Sequence, residues 1–149
     1  ASLGSEIFVV ESVADQLKQH LKKHGAYEID AAQGENLLQH IFKEIKGTDK
    51  PGVINMDYIG KTPSVILQSI GLNVGPEARI VILETDALHP LVWTEQIMPV
   101  LPFVRCATAD EAIERAIAAE QGNGHTMAIH SDNIQTIKKM AAMAKVPLL

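Results

Sequence analysis

The stretch ARIVILET, residues 78–85, is an apolar run rich in β-branched side chains. Such a run is typical of a strand that is buried on both faces, as the strands of parallel sheets are. VLPFVRCA, residues 100–107, predicts a second strand, and TADEAIERAIAAEQG, residues 108–122, predicts the helix that follows it. Thr108 and Glu111 have the spacing of a capping box at the start of this helix.

Strands and helices also alternate in the rest of the chain. The pattern indicates an α/β fold, a mostly parallel sheet flanked by helices. The remaining predicted elements are a strand at 6–10 (EIFVV), a helix at 12–25, helices at 35–46 and 62–71, a strand at 125–131 (HTMAIHS), a helix at 132–145, and a strand that begins at 146 (VPLL).

The size and composition of the chain indicate one globular domain, residues 1–149. With 149 residues, of which 46% are hydrophobic, the chain can bury a core of its own. A net charge of −5 with no basic stripe argues against nucleic-acid binding. No apolar stretch approaches the roughly 20 residues of a membrane helix, so we predict neither a nucleic-acid nor a membrane partner.

Two groups of chemically interesting residues are interpreted as structural. Cys106, the single cysteine, lies in a predicted buried strand without a neighbouring histidine, so we interpret it as a core residue rather than a nucleophile. His20 and His24 share one helix face, as zinc-binding pairs do. No third ligand is evident, so a solvated surface is favoured and no metal site is predicted.

Two residues remain as candidates for a functional site. Glu95 precedes an apolar run in which Pro99 and Pro102 favour extended backbone, and it is either an exposed charge or a ligand-binding group. His125 follows the turn sequence QGNG and opens a predicted strand, where loops often carry function. The residues alone do not decide between a structural and a functional role for either.

Four separated blocks resemble, in order, the part of CoA-acylating aldehyde dehydrogenases that follows their catalytic cysteine. The similarity is greatest to the propionaldehyde and acetaldehyde dehydrogenases of propanediol and ethanolamine utilisation. The blocks are EIFVVESVADQLKQHLKKHGAY (6–27), INMDYIGKTPSVILQSIG (54–71), HPLVWTEQIMPVLPFVRCATADEAIERA (89–116) and EQGNGHTMAIHSDN (120–133).

The resemblance implies a reaction and roles for the two candidates. In this superfamily a cysteine thiolate attacks the aldehyde, hydride passes to NAD, and coenzyme A takes the acyl group. TEQIMPVLP is similar to the segment whose glutamate accepts hydrogen bonds from the nicotinamide ribose, so Glu95 is implied as a cofactor-binding residue. GNGHT is similar to a segment whose histidine lies near the nucleophile, which implies an auxiliary catalytic role for His125. Relatives often have arginine where Gly124 stands.

The resemblance also implies what this chain does not contain. It places the nucleophilic cysteine at or just before Ala1, and it places the Rossmann cofactor domain and an oligomerisation hairpin elsewhere. We therefore expect residues 1–149 to be the catalytic subdomain of a longer enzyme, inactive by itself. For that enzyme the resemblance implies a short-chain aldehyde substrate, a homo-oligomer, and a cytoplasmic location that in relatives can be a bacterial microcompartment.

Two alternatives stay open at this point. The chain could belong to the aldehyde dehydrogenase half of a bifunctional aldehyde-alcohol dehydrogenase. It could instead be a non-catalytic α/β module for binding or assembly, since a fold can persist without its activity.

Overall fold

The computed structural model describes residues 6–147, in which six strands and six helices form an α/β fold. The strands are β1 (Ile7–Val10), β2 (Ala26–Ile29), β3 (Phe42–Glu44), β4 (Val53–Ile54), β5 (Ile80–Thr85) and β6 (Val100–Cys106). The helices are α1 (Glu11–Lys23), α2 (Ala31–Ile41), α3 (Pro63–Gln68), α4 (Pro90–Trp93), α5 (Ala109–Glu120) and α6 (Ile134–Met143).

Four parallel strands form the main sheet, in the order β1-β6-β5-β2. The two apolar runs that predicted strands supply its centre, β5 and β6, and helices cover both faces. Phe103 packs with residues of α1, whereas Val104 and Cys106 pack on the opposite face with Ala119 of α5. The prediction of a mostly parallel sheet flanked by helices is confirmed.

A charged network ties α1 to the sheet. The Lys18 ammonium lies 2.8 Å from a Glu28 carboxylate oxygen, contacts Glu84, and sits 5.3 Å from the ring centre of Phe103. Arg105 donates to Glu84 at 2.6 Å and also pairs with Asp15. These pairs lower the pKa of Glu84 and Glu28 against the opposing effect of burial.

The helix predicted for residues 35–46 is wrong in its second half. Helix α2 ends at Ile41, and Phe42 begins β3, which pairs antiparallel with β4. The backbone N–H of Asn55 donates to the carbonyl oxygen of Ile41 at 2.8 Å, and its side-chain amide donates to that of His40 at 3.0 Å. A residue distant in sequence therefore satisfies the carbonyls that end the helix.

Two further predictions differ from the structure. The strand predicted for residues 125–131 is wrong, because only Met127 makes a bridge, with its N–H donating to the carbonyl oxygen of Pro147 at 3.0 Å. A strand needs a neighbour that pairs with it along several residues, and within residues 6–147 this segment has only the single backbone bond to Pro147. The sequence does not predict strand β2, because the strand has only four residues and one of them is the charged Glu28. The last two residues of VPLL, like the position predicted for the nucleophile, lie outside the described residues.

The start of α2 gives a prediction about stability. Asp30 and Gln33 form a capping box, in which the Gln33 N–H donates to Asp30 at 2.8 Å and the Asp30 N–H donates to Gln33 at 2.9 Å. We expect Asp30→Ala to lower the free energy of unfolding by about 1 kcal/mol, because the Gln33 N–H loses the carboxylate oxygen that accepts its hydrogen bond. Urea unfolding of the two proteins measures this, and an unchanged midpoint would contradict it.

Candidate functional site

Glu95 lies in the irregular segment between α4 and β6. Burial alternates along it, so that Thr94, Gln96 and Met98 are buried whereas Glu95 and Ile97 are exposed. The side chain of Glu95 is therefore open to solvent, between two neighbours that are turned into the protein.

The buried side chains on either side of Glu95 are polar and hydrogen-bonded. Thr94, 5% exposed, donates its hydroxyl to the carbonyl oxygen of Pro90 at 2.7 Å and accepts the N–H of Gly52 at 2.9 Å. Gln96, 2% exposed, donates its side-chain amide to the carbonyl oxygen of Leu91. The backbone around Glu95 is thus held from its inner side by side-chain hydrogen bonds.

Ile97 has a backbone conformation that is unusual for a β-branched residue. Its φ is 50°, and its side chain is 64% exposed. The N–H of Gly60 donates to its carbonyl oxygen at 3.3 Å. A branched residue in this left-handed region is strained, and such strain persists where the surrounding structure imposes it.

His125 lies in the turn that follows α5. The carboxylate of Glu120 accepts the backbone N–H of His125 at 3.0 Å and that of Gly122 at 2.9 Å. The N–H of His125 is the main reason why the pKa of Glu120 lies below its ordinary value. The imidazole is exposed, and the φ of +78° at Gly124 is a conformation that favours glycine.

Gln121 connects this turn with the segment of Glu95. Its side-chain amide donates to the carbonyl oxygen of Trp93 at 3.0 Å and to that of Ala119 at 3.2 Å. Trp93 stands two residues before Glu95, and Gln121 stands four before His125. The structure thus joins the segments of the two predicted site residues by a side-chain contact.

Glu6, directly before β1, is a further titratable group in this region. Burial raises its pKa to about 7, against the charge of His125, which favours the ionised form. The position of Glu6 before β1 and the packing of α5 on β1 bring the two residues to the same end of the sheet.

Cys106 lies buried in the sheet, and His20 and His24 lie at the surface. Cys106 is 2% exposed in β6, and burial is the main cause that raises the pKa of its thiol. The guanidinium of the neighbouring Arg105 pairs with carboxylates of α1 and β5 instead. His20 and His24 are both exposed, and no cluster of three metal-ligating residues occurs in residues 6–147.

Two depressions on the described surface lie around α3, and one of them is lined by Asn55, Asp57, Tyr58, Val65, Gln68 and Ser69. The part of the chain that the structure describes also contains no helix long and apolar enough to cross a membrane. Neither depression is lined by Glu95 or His125, and both of these residues are exposed to solvent.

Comparison with known proteins gives relatives of one enzyme type, although no protein-family model matches. The acetylating acetaldehyde dehydrogenase EutE of Salmonella typhimurium is 42% identical over 135 residues, which are 91% of this chain and 29% of that protein. This chain is homologous to a segment of the CoA-acylating aldehyde dehydrogenases. It spans less than a third of the length of the acetaldehyde dehydrogenases of Salmonella typhimurium and Escherichia coli that it matches.

Solved structures of such enzymes contain a segment with the same fold as this chain. The propionaldehyde dehydrogenase of Rhodopseudomonas palustris with bound propionyl-CoA matches with a TM-score of 0.87 at 36% identity, over 95% of this chain and 30% of that one. An engineered glycolyl-CoA reductase with bound NADP+ matches with a TM-score of 0.87 at 35% identity, over 97% and 32%. The bifunctional aldehyde-alcohol dehydrogenase of Escherichia coli is less similar, at 29% identity over 135 residues, 85% of this chain and 14% of that protein.

Sequence reasoning missed the residues that support the two candidates. Thr94, Gln96 and Gln121 carry no motif, because a threonine or glutamine in a loop is ordinarily exposed. The roles of Thr94 and Gln96 depend on burial, and all three residues bond to carbonyl groups that folding brings together. For Thr94 and Gln96 the one available signal was their placement on either side of Glu95.

Proposed function

We propose that this chain is the catalytic subdomain of an NAD-dependent, CoA-acylating dehydrogenase for short-chain aldehydes such as propanal or acetaldehyde. The observation that carries the proposal is the exposed carboxylate of Glu95 on a segment held by the hydrogen bonds of the buried Thr94 side chain. The similarity of most of the chain to acylating enzymes supports it. The lower similarity to the bifunctional enzyme favours this proposal over that alternative.

The residues at Glu95 fit a nicotinamide cofactor. A carboxylate can accept hydrogen bonds from two vicinal ribose hydroxyls at once, and Glu95 is exposed to do so. Ile97, two residues further along the chain, is an exposed apolar side chain in the same segment. When bound, NAD supplies the hydride acceptor of the reaction. In the proposal Glu95 fixes the ribose, and through it the orientation of the ring.

His125 is proposed to assist proton transfer to or from the coenzyme A thiol. An imidazole can take up and release a proton near neutral pH. The backbone of His125 is held by Glu120, while its side chain remains free to reach a substrate at the surface. The open surface at both residues is consistent with a cleft whose other wall belongs to the cofactor domain of the longer enzyme.

Assembly and location are part of the same proposal. The two edge strands of the sheet, β1 and β2, leave backbone groups for pairing, which is compatible with a homo-oligomer of the longer enzyme. The resemblance to enzymes of ethanolamine and propanediol utilisation supports a cytoplasmic location inside a bacterial microcompartment.

The test is an assay of the complete enzyme that contains this segment. Propanal, NAD+ and coenzyme A should together yield NADH and propionyl-CoA in equal amounts, with NADH followed by absorbance and the thioester by mass spectrometry. Omission of coenzyme A should abolish sustained NADH formation. A folded enzyme with its cysteine intact that forms no NADH in a CoA-dependent manner would sink the proposal and favour the non-catalytic module.

A further inference from the structure

Thr94 and Gln96 stand out because they are buried polar side chains in an otherwise irregular loop. Among the described residues they are the two that are both polar and almost fully buried, and they flank Glu95 directly. Burying a hydroxyl and an amide is costly unless each has partners. Both have them, and the partners are backbone groups that define the path of this loop.

Each side chain fixes a different part of that path. The side-chain amide of Gln96 donates to the carbonyl oxygen of Leu91, so this hydrogen bond joins two positions of the same loop. Thr94 bonds the carbonyl oxygen of Pro90 and, through the N–H of Gly52, joins the loop to the hairpin formed by β3 and β4. The loop is therefore tied both internally and to a separate element.

The anchor at Gly52 is itself closely packed. A Cβ atom at this position would lie 2.7 Å from the ring of Phe42 and 2.8 Å from the carbonyl oxygen of Glu44. The backbone of residue 52 thus sits against β3 with no room for a side chain. Packing against β3 therefore fixes the position of the Gly52 N–H, and this N–H donates to the Thr94 hydroxyl from outside the loop.

We propose that Thr94 and Gln96 are positioning residues that hold the Glu95 carboxylate in the direction required to bind the nicotinamide ribose. The inference rests on the proposed function of Glu95. With both residues turned inward, the residue between them must point outward, and the intervening backbone cannot rotate without breaking a buried hydrogen bond. A carboxylate that is already oriented does not lose that freedom when the cofactor binds.

The experiment uses the complete enzyme and measures the dissociation constant of NADH by fluorescence together with KM and kcat. Thr94→Val keeps the shape of the side chain and removes the hydroxyl, and Gln96→Met removes the amide. We expect each to weaken cofactor binding by about three- to tenfold, the equivalent of one hydrogen bond. The KM for aldehyde and for coenzyme A should change little, and Thr94→Ser should restore binding.

The decisive comparison is made in an enzyme that already carries Glu95→Ala. If Thr94 and Gln96 act through Glu95, their substitution should weaken cofactor binding no further in that background. Asp30→Ala, at the start of α2, is the control, because it removes hydrogen bonds elsewhere and should leave cofactor binding unchanged.

The outcomes separate this inference from the proposed function. Equal weakening with and without Glu95, or no weakening in either substituted enzyme, would overturn the positioning role while wild-type activity stands. A wild-type enzyme that binds no nicotinamide cofactor would overturn the proposed function and the inference together. If Thr94→Val does not fold, Gln96→Met provides the same test.

Discussion

Glu95→Ala is expected to raise the KM for NAD+ of the complete enzyme by about 10- to 100-fold, with a much smaller change in the KM for propanal. A carboxylate that accepts from two ribose hydroxyls makes two charge-assisted hydrogen bonds, each worth roughly 1.5–3 kcal/mol. Alanine loses both, although water replaces part of the interaction. Because Glu95 is exposed and makes no ion pair in the described structure, its loss should leave stability almost unchanged.

Initial rates at varied NAD+ and unfolding midpoints of the same proteins check this prediction. Glu95→Gln keeps one acceptor and should fall between wild type and Glu95→Ala. Glu35→Ala removes an equally exposed carboxylate from α2 and should behave as wild type. Activity indifferent to Glu95→Ala would make Glu95 a surface charge at the entrance of β6 and leave Thr94 and Gln96 with a purely structural role.

The sequence could predict the centre of the fold because its signals there are local. The apolar run at 78–85 and the capping residues of α5 determine their elements through their own side chains. The Glu111 N–H donates to the Thr108 hydroxyl at 3.1 Å, although the Glu111 carboxylate accepts from the N–H of Ala107 rather than from that of Thr108. The local pattern therefore predicts the start of the helix correctly, but it predicts the wrong donor for the Glu111 carboxylate.

The end of α2 could not be predicted because its cause is not local. Residues 37, 38 and 41 continue an apolar stripe that favours helix, yet Asn55 binds the carbonyl groups of residues 40 and 41 and Phe42 turns into β3. The site shows the same limit. Its two candidates came from a resemblance, whereas the buried hydrogen bonds that support Glu95 join residues 52, 90, 91, 94 and 96 and exist only after folding.

Glu6→Gln is expected to raise the free energy of unfolding relative to wild type, and this gain should be about 3 kcal/mol larger at pH 8 than at pH 4.5. Burial raises the pKa of Glu6 from 4.5 to about 7, so the folded chain retains this proton to higher pH than the unfolded chain does. The favourable contribution of the protonated group is complete below pH 4.5 and is lost as the pH rises toward 7. Each tenfold change in proton affinity corresponds to about 1.4 kcal/mol, which gives the magnitude.

Other titrating groups do not obscure this comparison. The carboxylates of Asp15, Glu28 and Glu84 have lowered pKa values in the folded chain. They stabilise the fold above their ordinary pKa values, and this stabilisation is lost at lower pH in both proteins alike. The lowered pKa of His89, which results from burial, affects wild type and variant alike. The difference between the two proteins therefore isolates Glu6.

Urea unfolding of wild type and Glu6→Gln between pH 4.5 and 8 measures the effect, with Glu114→Gln on the exposed side of α5 as the matched control. The His125 charge favours the ionised form of Glu6, so His125→Ala should raise the Glu6 pKa further and move the transition to higher pH. A difference between Glu6→Gln and wild type that stays constant from pH 4.5 to 8 would contradict the burial of an ionisable Glu6. If His125→Ala leaves the pH of this stability transition unchanged, the two residues do not interact. Any pH dependence of catalysis by His125 would then arise without Glu6.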